Sequence, residues 1–89
     1  MNIGTSYITD LFIEKINLFN KQKYREEEAE RLLTELANFI FYQHQQLSKR
    51  IDIVQDGNIW KTSFVIGLSE YNLSATNIDG ILKFDACFR

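Results

Sequence analysis

The sequence has no proline and only four glycines in 89 residues. Few positions can therefore break a helix or strand, so short loops are expected, with no linker and no internal repeat. There is one cysteine, Cys87, which excludes an internal disulfide. The stretch from Met1 to Ser6 lacks the basic start and long apolar run of a secretory leader. Both features point to the cytoplasm. No segment approaches the roughly 20 consecutive apolar residues that a membrane-spanning helix needs. Excess positive charge is also missing. The net charge is −2 and the pI about 5.3, which argues against a nucleic-acid binder, whose field is normally basic and clustered. Phosphate-binding loops, dinucleotide fingerprints, zinc-ligand spacings and nucleophile elbows are all absent. No cofactor, metal or small-molecule substrate is implied.

What is present is a strongly apolar and aromatic chain, 45% hydrophobic and 25% charged, which can form a core and is not disordered. At this length it is expected to be one domain over residues 1–89. Such a domain buries roughly 60–65% of its unfolded surface, a thin margin that self-association would widen.

The periodicity predicts a first helix over about 6–20, with Thr5 or Ser6 as its cap and Ile8, Leu11, Phe12, Ile16 and Phe19 on one face. Between Asn20 and Glu28 the apolar signal lapses except at Tyr24. Lys21 and Lys23 suit a helix end, and Glu26, Glu27 and Glu28 suit a helix start. A break is expected near 21–25; the alternative is one unbroken helix of about 40 residues. The second helix is expected over about 26–49. Its apolar side carries Ala29, Leu32, Leu33, Leu36, Ile40 and Leu47, and its cationic end is Ser48-Lys49-Arg50.

After Arg50 the pattern alternates, which reads as strands with one buried and one wet face. Four strands are expected at about 50–55, 59–68, 71–76 and 81–88. Turns are expected at Asp56-Gly57-Asn58 and at Asn77-Ile78-Asp79-Gly80. The expected fold is α+β: two N-terminal helices packed on one face of a four-stranded antiparallel meander.

Candidate chemistry is sparse. His44, the only histidine, has Ile40, Phe41, Leu47 and Ser48 at helical spacing, not metal ligands, and reads as a polar helix position. Cys87 needs a base to act as a nucleophile, and His44 is distant in the chain. The acidic run from Glu26 to Glu30 reads as a solvated helix start. The basic stretch of Lys15, Lys21, Lys23, Arg25 and Arg31 is offset by that run. Trp60, Phe64, Tyr71 and Phe84 could stack bases on an open sheet but share the expected core face. No catalytic residues are assigned, and an enzyme is not expected.

The remaining feature is a surplus of apolar surface at Phe39, Phe41 and Tyr42, more than one sheet face can take up. Such a surplus marks a protein interface. The expectation is a protein-interaction module, an adaptor, chaperone-like protein or inhibitor, whose partner is another protein or a second copy in a homodimer. A nucleic-acid-binding regulator is the alternative.

Overall fold

Apolar residues spaced three and four apart in the first half, and alternating in the second, fold as two helices followed by a meander. A computed structural model describes residues 3–47 and 50–88, with side chains from residue 9 onward. Helix α1 spans Ile3–Lys21, a 3₁₀ turn spans Glu26–Glu28 and helix α2 spans Ala29–Gln43. The strands are β1 (Val54–Asp56), β2 (Ile59–Ile66), β3 (Ser69–Ile78) and β4 (Ile81–Phe88). They form one antiparallel sheet in the order β1-β2-β3-β4, with both helices on one face.

The break between the helices is real, and the single long helix is not formed. Arg25 is extended (φ −97°, ψ 163°), which no α-helix accommodates. The connecting segment is pinned to the sheet: Leu82 N–H donates to the Tyr24 carbonyl at 2.9 Å, and the Tyr24 ring packs on Phe19 and Phe84. Helix α1 begins before Thr5 and Ser6, so neither residue marks its start.

Helix α2 stops well short of 49. Gln45 takes a left-handed conformation (φ 56°), Gln45 N–H donates to Tyr42 and Gln46 N–H donates to Phe41. These paired bonds are a Schellman closure, here with glutamine where glycine is usual. Leu47 therefore leaves the helix and is exposed, while Ser48 and Lys49 lie outside the described residues. The chain then returns along α2, and the half-buried Ile51 and Ile53 pack against the core before β1 begins. This is why the first strand is 54–56 and not 50–55.

The hairpin turns explain the other strand limits. Asp79 and Gly80 both have positive φ (54° and 85°), the signature of a two-residue turn that matches strand twist. Asp56 and Ile59 flank Gly57-Asn58 as expected. A third turn, Gly67-Leu68 with Gly67 at φ 62°, ends β2 at Ile66 and starts β3 at Ser69. Leu68, expected as the last residue of the second strand, is instead at the turn and fully exposed.

The two sheet edges are treated differently. Asn58 stands opposite Asn77 and accepts its N–H at 2.8 Å. By antiparallel alternation, β2 residues 60, 62, 64 and 66 direct their backbone groups at β3, while 59, 61, 63 and 65 face the other way. The same alternation leaves β4 residues 82, 84, 86 and 88 facing outward. Three of those outward N–H groups are taken. Leu82 N–H goes to Tyr24, and Ala86 N–H goes to Asp85 Oδ1 at 2.9 Å. Phe84 N–H donates to Asn20 Oδ1 at 2.7 Å, and Asn20 Nδ2 donates back to the Phe84 carbonyl at 3.0 Å. The Asn20 amide thus replaces a neighbouring strand and closes this edge. Replacing Asn20 by alanine is expected to cost about 2 kcal/mol, two net hydrogen bonds. Urea denaturation should show the lower midpoint with an unchanged slope.

Candidate functional site

The structure separates the residues with chemical potential. His44, at the end of α2, lies on the helix side, where its Nε2 is 2.7 Å from the Tyr71 hydroxyl in a hydrogen bond whose donor depends on the tautomer. Cys87 alternates with the half-buried Ala86 and Phe88, which face the helices, and is exposed on the uncovered face. The sheet stands between them, so they cannot act as a nucleophile and its base. Among the described residues, no three His, Cys, Asp or Glu side chains cluster closely enough to hold a metal ion.

The aromatic side chains of the sheet belong to the core. Trp60, Tyr71 and Phe84 are buried under the helices, and Phe64 lies between Phe41 and Tyr71, at ring distances of 4.8 and 5.4 Å. They present no stacking platform to solvent. In the basic stretch, Lys15 Nζ sits over the Phe39 and Phe19 rings and Arg31 pairs with Glu28 at 2.7 Å.

The three aromatics expected at a partner surface have different fates. Phe41 is 1% exposed and packs on Phe64, so it is core. Phe39 is half-buried against Phe12 of α1, with Lys15 above it. Only Tyr42, 76% exposed, remains on the outside. The apolar surplus of α2 is taken up by α1 and by the wide β2–β3–β4 surface.

The exposed apolar surface lies largely elsewhere. The face of the sheet away from the helices carries Val54, Val65, Ile78 and Ile81 as exposed large apolar side chains. Between them are small and polar residues in register. Ser63, Asn72 and Cys87 form one cross-strand row, and Lys61, Ser74 and Asp85 form the next. Ser63 Oγ donates to Asn72 Oδ1 at 2.6 Å. These two rows line a shallow groove of about 170 Å³. At one end of the sheet, Ile78 and Ile81 stand opposite each other and, with Asn20, Leu82 and Lys83, line a second hollow of about 350 Å³ with mostly apolar walls. Another groove, of about 480 Å³, lies on the helix side between α2 and residues 50–53 and is lined mainly by Glu30, Arg31, Thr34, Arg50 and Asp52.

The sequence pattern does not single out this surface, because strand alternation marks the face that is buried. The signal was present in the alternating positions: Val65, Ile78 and Ile81 are apolar where strict alternation calls for polar residues.

Comparison with known protein families, with curated proteins and with solved structures finds no match. Among the described residues, no helix is long and apolar enough to cross a membrane.

Burial of the Tyr71 phenol disfavours its charged form and raises its pKa above the ordinary 10.0, while a side-chain hydrogen bond with Ser69 pulls it partly back. The folded chain therefore holds this proton more tightly than the unfolded chain. The resulting stability is fully present below about pH 10 and is lost as pH rises through the folded value. Urea midpoints of the wild type should fall more steeply above about pH 10 than those of Tyr71→Phe, which has no phenol to ionise at this position.

Proposed function

We propose that the protein acts by binding another protein on the uncovered face of its sheet. The observation that carries this reading is the set Val54, Val65, Ile78 and Ile81, exposed on a face that no layer covers among the described residues. The β-branched side chains supply apolar contact area and the polar rows between them supply hydrogen-bonding groups, so the face offers both kinds of contact that a protein interface uses. Completing the burial of these partly exposed side chains is worth about 1 kcal/mol each. That suits an adaptor or inhibitor that engages and releases its partner. Lys61, Glu70, Lys83 and Asp85 on the same face supply both signs of charge, which set orientation more than affinity.

The test is capture from a lysate of the native host by tagged chains, with light scattering of each chain alone. Ile78→Glu/Ile81→Glu alters exposed positions, so the fold should survive, at a cost of about 1–2 kcal/mol because the two like charges stand directly opposite each other. Retention of the partner should fall at least about tenfold, the equivalent of 1.4 kcal/mol. Tyr42→Asp should retain it. A doubled mass that this double variant abolishes makes the partner a second copy on the same face. Capture lost in Tyr42→Asp and kept in the double variant moves the interface to the helices and overturns the reading, as does the absence of any capture or self-association in the wild type.

A further inference from the structure

We infer that the free edge of β2 at Ser63–Val65 accepts an extended segment of a partner protein as an added strand. The inference deepens the reading above and rests on it: the partner is a protein, and this edge is where its backbone would be held.

The backbone accounting carries the argument. β1 occupies the outer side of Ile59 and Lys61, through Asp56 and Val54. The outward N–H and C=O groups of Ser63 and Val65 come next, and among the described residues nothing pairs with them. The chain that could have continued β1 leaves the sheet plane instead. Thr62, buried on the helix side, donates its hydroxyl proton to the Asp52 carbonyl at 2.8 Å. That bond draws residues 50–53 over the helix side, away from the edge.

An open edge is ordinarily guarded by charge, proline or a covering element. The opposite edge is guarded in this way, by Asn20, Tyr24 and Asp85. The free stretch of β2 has no such guard: Thr62-Ser63-Phe64-Val65-Ile66 is uncharged, lacks proline and is rich in strand-forming residues. Val54 and Val65, 64% and 61% exposed, bracket the gap on the uncovered face. An incoming strand would set alternate side chains beside Val65 and Ser63 on that face and the intervening one beside Phe64 on the other. The matching segment is uncharged and apolar at the positions opposite Phe64 and Val65.

A second copy fits this edge poorly. Two-fold pairing that uses both free residues of each copy sets Ser63 opposite the other copy's Val65. It also sets that copy's Gly67 opposite Lys61, where Val54 already stands. A separate extended segment meets no such obstacle.

The test uses the full chain. By NMR hydrogen exchange, Ser63 and Val65 amides of the free protein should exchange at least about a hundredfold faster than those of Thr62 and Phe64, which face β3. Linear peptides selected from a displayed random library should slow Ser63 and Val65 at least about tenfold. They should bind Val65→Lys at least about tenfold more weakly, because a charge on an edge opposes strand addition. Should that variant not fold, the exchange pattern in the wild type decides alone. Amides of Ser63 and Val65 already as slow as Thr62 in the free monomer overturn the inference, as do peptides that protect other positions only. Protection of Ser63 and Val65 seen without any peptide, and lost as the protein is diluted, overturns the choice of a partner segment in favour of a second copy. If the edge proves closed while Ile78→Glu/Ile81→Glu still abolishes capture, this inference fails and the face reading stands. If peptides add to the edge while capture ignores the face variants, the reverse holds.

Discussion

Contacts between aromatic rings of the helices and the sheet hold this domain together. Phe12 meets Phe88 edge-on at 5.5 Å, Phe19 meets Phe84 at 5.3 Å, and Phe41 packs on Phe64 at 4.8 Å. Tyr71 continues the line through Phe64 and Phe88. Aromatic pairs contribute about 0.5–1.5 kcal/mol each beyond the area they bury, a large share of the stability of a domain this small. They also decide which sheet face is covered. Both helices are committed to the face that carries the rings, and among the described residues no third layer covers the other.

That commitment shapes everything with functional meaning. The uncovered face is wet, mostly polar in its side chains at the centre and apolar at its margins. The helix connection crosses the outer side of β4, so the Tyr24 carbonyl and the Asn20 amide occupy backbone groups that would otherwise template another strand. On the opposite side, the half-buried Ile51 and Ile53 draw the chain before β1 against the core and leave β2 incompletely paired. A closed edge, a short open edge and an open face thus all follow from how two helices fit over four strands.

Much of this fold was legible in the residues. The 3.6 and 2 periodicities located both helices and the strands, and Asp79-Gly80 announced its turn by chemistry that tolerates positive φ. Three features were not legible, each for a physical reason. The end of α2 uses Gln45 in a left-handed conformation, a place where glycine would have signalled the stop. The Gly67-Leu68 turn was hidden because Leu68 continues the apolar alternation of β2 across it. The fate of Phe39 and Phe41 depends on α1 and the breadth of the sheet, which are tertiary facts. The uncovered face is readable in the sequence only as apolar residues, Val65, Ile78 and Ile81, at positions where alternation calls for polar ones. Its edge geometry required the register.

Cys87 offers the most direct test. It is exposed, it is the only cysteine, and it lies in the middle row of the uncovered face opposite Asn72. Native protein alkylated there with a bulky maleimide can be compared with unmodified protein for partner retention, with far-UV circular dichroism as the check on folding. If the sheet face is the binding surface, the thiol reacts in the folded state, the spectrum is unchanged and retention is lost. Full retention by a quantitatively alkylated, folded chain would contradict the account.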